Sequence, residues 1–220
     1  MVGKNLTMAP AGPFGSLILS AARPPCPEPK HHDSAAARQQ VAWPLCREVP
    51  FSDTVNVVDW REDRIGSAAR RENPTLLAEL QSGYAVIGDV QFLPGYCVLL
   101  GKDPNAKALA ELPRKDRVQF LSDTDLLATA VERACREADP RFRRINIDIL
   151  GNTDAFIHAH IWPRYNWEPP ELVPRPVWLY DLASWGDPAT ALNDKHDQLR
   201  ANITTHLRSL ADADNIRITG

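Results

Sequence analysis

Apolar positions alternate with polar or aromatic ones from Asp154 to Tyr165, the two-residue period of a strand. Ala155, Ile157, Ala159 and Ile161 fall on one side, Phe156, His158, His160 and Trp162 on the other. The pattern predicts a strand that packs its first set on a core and carries two imidazoles on its other face, about 7 Å apart along the chain. Pro163 has no N–H and is expected to end the ladder. Upstream, Ile145, Ile147 and Ile149 alternate with Arg144, Asn146 and Asp148, which predicts a half-buried strand over Arg144–Leu150 and a turn at Gly151-Asn152-Thr153. Tyr84–Ile87 and Gly95–Leu100 are apolar runs around Gly88-Asp89 and predict an antiparallel pair.

Helical spacing appears at two places. Val118, Leu121, Leu127, Val131, Ala134 and Ala138 recur near the helical period and predict a long amphipathic helix over Asp116–Ala138, packed on the sheet. Leu192, Leu199, Ile203, Leu207 and Leu210 predict a final helix opened by Asp187-Pro188, with His196 and His206 as ordinary residues on it. A shorter helix is expected over Asn73–Leu80, with Asn73 as cap, Pro74 in the first turn and Gly83 at its end.

Composition sets the limits around this core. Residues 1–40 are rich in Pro, Ala and Gly without a sustained period and read as a disordered or loosely packed arm. A body is expected over 41–170, including a lead-in with Trp43, Phe51 and Val55 able to dock, and 171–220 reads as a C-terminal extension with a helix. A net charge of −3 offers no broad surface for nucleic acid. The apolar run Leu17-Ile18-Leu19 is too brief to span a membrane. The four cysteines lie far apart without ligand spacing, which suits a reducing, cytoplasmic setting. There is no P-loop, dinucleotide fingerprint or G-x-S-x-G motif.

The chemistry gathers on the histidine strand. Taken alone, His158-Ala159-His160 fits a metal site as well as a catalytic one, with Asp148 and Asp154 as further candidate ligands but no fuller Cys, His or acidic cluster nearby. The longer run His158-Ala159-His160-Ile161-Trp162-Pro163-Arg164 resembles the histidine triad (HIT) superfamily, whose signature is three histidines alternating with apolar residues, closed in many members by Pro-Arg. Leu93-Pro94-Gly95-Tyr96 and Gly151-Asn152-Thr153 match the family's turns, and the resemblance spans about Asn73 to Tyr165. It makes His158 the nucleophile and His160 the third histidine, and it places Phe156 where the first histidine stands.

The resemblance implies an α+β fold, an antiparallel sheet with the long helix across one face, and with it a homodimer and a nucleoside phosphate attacked at its α-phosphorus; no cofactor is expected, and no metal for want of a fuller ligand cluster. Asn152, Thr153, Asn146, Asp89 and Arg164 are then substrate-binding candidates: the first two for phosphate oxygens, Asn146 at the preceding strand, Asp89 near the ribose, and Arg164 as a forked cation. Imidazole suits the nucleophile's part, since much of it is unprotonated at neutral pH and it leaves readily from phosphorus. His160, where nucleotide-transferring relatives carry Gln, favours hydrolysis through a nucleotidyl-histidine. A nucleotidyltransferase and a non-catalytic nucleotide-binding protein are the alternatives, because Phe156 can neither give nor take a proton.

Overall fold

Residues 59–151 and 154–220 are described by a computed structural model. The arm expected over 1–40, the lead-in up to residue 58, and Asn152 and Thr153 lie outside the described residues. Strands β1 (Leu76–Glu79), β2 (Gly83–Ile87), β3 (Cys97–Gly101), β4 (Phe142–Leu150) and β5 (His158–Tyr165) form one sheet in the order β1-β2-β3-β5-β4. Every neighbouring pair is antiparallel. The α+β expectation holds, and β5 has a strand partner on each side.

Among the described residues four α-helices accompany the sheet: α1 (Arg64–Ala69), α2 (Arg114–Ala138), α3 (Leu182–Gly186) and α4 (Asp197–Ala213). Helix α2 lies against β3, β4 and β5 and also packs on α4. Its inward face is Phe120, Leu127, Val131 and Ala134, all buried. Val118, Leu121 and Ala138, expected on that face, are exposed. The stripe is set by Phe120 and its helical neighbours, and Val118 and Leu121 fall on the flank of that stripe. Within the stripe, Asp123 is buried and accepts from the Ser82 N–H and hydroxyl at 2.6 Å, pinning the β1–β2 turn to the helix.

The expected helix over Asn73–Leu80 is a strand instead. Asn73 Oδ1 accepts from the Thr75 N–H at 2.9 Å and the Thr75 hydroxyl at 2.6 Å, a local turn rather than a helix cap. Leu76–Glu79 then pairs with β2, so a tertiary partner overrides helix-forming residues. Gly83 starts β2; a Cβ there would stand 2.5 Å from the Leu100 carbonyl oxygen. The pairing of Tyr84–Ile87 with the run before Gly101 is as expected. Leu93-Pro94-Gly95-Tyr96 forms the turn into β3, with Gly95 at φ +92° and the Tyr96 N–H donating to the Leu93 carbonyl at 3.1 Å. Proline second and a positive-φ glycine third is the type II pattern.

Asp187-Pro188 caps only a short 3-10 turn over Pro188–Thr190. The final helix begins at Asp197, behind a capping box in which Asn193 and His196 exchange bonds with each other's backbone. His196 is therefore a buried capping residue, and its burial lowers its pKa. His206 reaches Glu137 of α2 at 2.9 Å. Ile203, Leu207 and Ala211 are buried against the body, so the segment after 171 belongs to the same unit as the sheet. Among the described residues no helix is long and apolar enough to cross a membrane.

Candidate active site

Strand β5 begins at His158, after a bend over Asp154–Phe156, and runs through Pro163 to Tyr165. Pro163 does not end it. Pairing with β3 stops at Ile161 opposite Cys97, while pairing with β4 continues through Pro163 opposite Ile145 to Tyr165. Beyond Ile161 the strand has a strand neighbour only on its β4 side, where a missing donor is tolerated. Ile157, Ala159 and Ile161 are buried toward the core, whereas Ala155 before the strand is exposed.

The opposite face carries the histidines. Residues directly opposed on neighbouring strands share a face, so His158 stands between Leu100 and Leu150, and His160 between Val98 and Asp148. The two imidazoles meet edge to face with centroids 4.7 Å apart. His158 is 4% exposed and His160 8%. His158 Nδ1 lies 2.8 Å from the Phe156 carbonyl oxygen. An Nδ1–H donates there, which leaves the Nε2 lone pair directed away from the backbone. Phe156 thus contributes through its carbonyl, while its ring sits 5.2 Å from the His158 ring and offers no proton.

His160 is tied to a residue 64 positions away: the Tyr96 hydroxyl is 2.7 Å from His160 Nδ1. Burial, aided by His158, lowers the His160 pKa to about 3. Burial also raises the Tyr96 pKa well above its ordinary value, so the hydroxyl keeps its proton. With that hydroxyl donating to Nδ1, His160 is neutral and carries its own proton on Nε2. The Tyr96 ring stacks on Trp162 at 3.7 Å, and Gly88 lies beneath it; a Cβ on Gly88 would be 2.2 Å from the ring.

An aromatic cover lies over this face. Trp178 meets His160 in a T-shaped pair, centroids 4.8 Å apart, and is 39% exposed. Trp185 stacks on Trp178, and Phe92 packs between Trp185 and Tyr180. Arg164 explains why the segment sits there. Its guanidinium is buried, forms an ion pair with Glu168 at 2.7 Å, and donates to the carbonyls of Leu172, Val173 and Arg175. Glu168 also accepts from the Tyr180 hydroxyl at 2.5 Å. Arg164, expected as a substrate ligand, therefore tethers the segment that covers the histidines, and its donors are occupied by protein acceptors.

The other candidates are distributed as follows. Asp89, on the loop after β2, forms ion pairs with Arg64 at 3.0 Å and Arg61 at 3.6 Å, close enough to Tyr96 for its charge to act on that hydroxyl. Asn146 shares the histidine face but stands opposite Trp162, four residues along β5 from His158 or about 14 Å at the strand rise. Its Oδ1 and the Trp162 Nε1 are both buried without a partner among the described residues. The position directly opposite His160 belongs to Asp148. Among the described residues no three His, Cys, Asp or Glu side chains come together as metal ligands. Sequence reasoning placed Tyr96 only in a turn and missed both its bond to His160 and the aromatic cover over the histidines.

No family model matches the chain, and no curated protein does. Solved structures do. A histidine triad protein from Marinobacter aquaeolei VT8 superposes with a TM-score of 0.52 at 19% identity, over 68% of this chain and 96% of that one. A histidine triad protein from Sinorhizobium meliloti 1021 gives a TM-score of 0.50 at 21% identity, over 68% and 95%. The likeness is one of fold: this chain has the fold of the histidine triad proteins.

Proposed function

We propose that the protein is a nucleotide hydrolase that acts at the α-phosphorus of a nucleoside phosphate derivative. The observation that carries the proposal is the tautomer lock on His158, whose Nδ1 bond to the Phe156 carbonyl frees Nε2 on the face shared with His160. In the first step the Nε2 lone pair forms a bond to the α-phosphorus, and the bond from phosphorus to the leaving group breaks with its electron pair going to that group. In the second, water forms a bond to phosphorus and releases a proton to the solvent, the N–P bond breaks, His158 recovers its lone pair, and a nucleoside monophosphate leaves. The His160 Nε2–H, set by Tyr96, donates to a phosphoryl oxygen as charge develops. Trp178 and its neighbours limit water around the imidazoles, which strengthens that interaction.

Asn152 and Thr153 are proposed as further phosphate ligands, and Asp89 as a ribose ligand once Arg64 yields it. A homodimer is proposed through β4, a nine-residue edge strand whose Ile147 is 45% exposed. A cytoplasmic setting suits the free thiols of Cys97 and Cys135. Phe156 supports a second function, nucleotide binding without turnover, since a group that relays the leaving-group proton contributes roughly 10²–10⁴-fold.

Product analysis with diadenosine tetraphosphate and an adenosine phosphoramidate decides between the two, using wild type, His158→Ala and Phe156→His. Release of AMP by wild type and none by His158→Ala is expected. Binding of AMP without release from either substrate would overturn the hydrolase. A gain above about a thousandfold in Phe156→His would assign turnover to the missing imidazole.

A further inference from the structure

We infer that a cavity between β4 and the segment 173–176, which starts at Asp148 opposite His160 and runs along the sheet from there, is the subsite for a polyphosphate leaving group. The inference rests on the hydrolase reading and gives that site its substrate class. The cavity measures about 300 Å³ and is lined by Arg143, Arg144 and Arg175 together with Asn146, Asp148 and Arg164. The Arg164 charge is matched by Glu168. Three further guanidinium groups then face one carboxylate, that of Asp148. Arg144 and Arg175 make no side-chain hydrogen bond or ion pair among the described residues. Arg143 donates to the Val173 carbonyl at 3.0 Å, but among the described residues its Nε is buried without a partner. A buried unpaired donor at a cavity lined by arginines is what an anionic ligand would satisfy.

Position and chemistry agree on the ligand. Asp148 is opposite His160, Asn146 opposite Trp162 and Arg144 opposite Arg164, so the cavity extends along the strand away from the nucleophile. A chain of phosphates bearing a second nucleoside spans that stretch; an amine leaving group does not. Phe156 selects in the same direction. An amine must be protonated as it leaves, and the first position of the triad supplies no proton here. A polyphosphate leaves with the electron pair as a stable anion, and the arginines receive its charge.

Arg144→Gln/Arg175→Gln tests the subsite, because both side chains are exposed and without protein partners. Binding of inorganic tripolyphosphate is measured by calorimetry, and turnover with diadenosine tetraphosphate and the adenosine phosphoramidate. Tripolyphosphate affinity and kcat/KM for the tetraphosphate are expected to fall roughly 10–100-fold, the equivalent of one or two charge-assisted hydrogen bonds, while the phosphoramidate, a slow substrate without a proton donor for its amine, reacts no differently in the variant. Unchanged tripolyphosphate binding, or none in wild type, would overturn the subsite even if both substrates are hydrolysed. Binding lost in the variant, with neither substrate hydrolysed by wild type, would uphold the subsite and overturn the hydrolase.

Discussion

His160 couples the site to the stability of the fold, and the coupling has a definite size and sign. Its pKa is about 3 in the folded protein because it is buried, against about 6.5 in an unfolded chain. The folded pKa is the lower one, so as the pH falls below 6.5 the unfolded chain takes up a proton that the folded protein refuses. Stability from this group is thus fully present above the unfolded pKa and is lost progressively toward pH 3. Linkage puts the loss between pH 7 and pH 5 at about 2 kcal/mol for this one imidazole. The assay is guanidinium unfolding at both pH values for wild type and His160→Gln. The substitution carries its own constant cost, and the other histidines titrate in both proteins, so only the difference in pH dependence is read. Wild type should lose about 2 kcal/mol more than the variant over that interval. Parallel losses would refute the argument: His160 would then be as hydrated in the fold as outside it, and its tie to Tyr96 would not fix a neutral donor. The functional corollary is that His160 stays neutral throughout the range in which nucleotide hydrolysis is assayed.

Two further outcomes follow from contacts away from the imidazoles. Glu168→Gln leaves the Arg164 charge buried without its counterion and should cost about 3–5 kcal/mol in denaturant unfolding; a loss under about 1 kcal/mol would show that the carbonyls of Leu172, Val173 and Arg175 suffice to hold the guanidinium. Ile147→Lys should shift the protein to half its mass in sedimentation analysis if β4 forms the dimer, and an unchanged mass would remove that strand edge from the interface.

Strict alternation made β5, β4 and the β2–β3 pair legible in the sequence, and the period of α2 made the long helix legible. The errors came where a local signal had two structural uses. Asn73-Pro74 followed by Leu76-Leu77-Ala78-Glu79 satisfies a helix start, but β2 was available to pair with it and decided the outcome. Asp187-Pro188 is a sound cap for the 3-10 turn it forms, while the helix proper waits for Asn193. Arg164 offers the same fork of donors to a phosphate and to a carboxylate, and only the fold shows that Glu168 is there. Tyr96, Trp178 and Trp185 reach the histidines from distant parts of the chain, and separation of that kind leaves no periodic trace.

The place of β5 within the sheet has a consequence for how the site is lost. Edge strands such as β4 open by local fraying, whereas a strand bonded on both sides along His158–Ile161 releases its amide protons only when much of the sheet separates. Both imidazoles hang from that protected stretch, and the carbonyl that orients His158 lies just before it. Partial openings that expose the termini therefore leave the pair aligned, and the arrangement disappears together with the sheet rather than ahead of it.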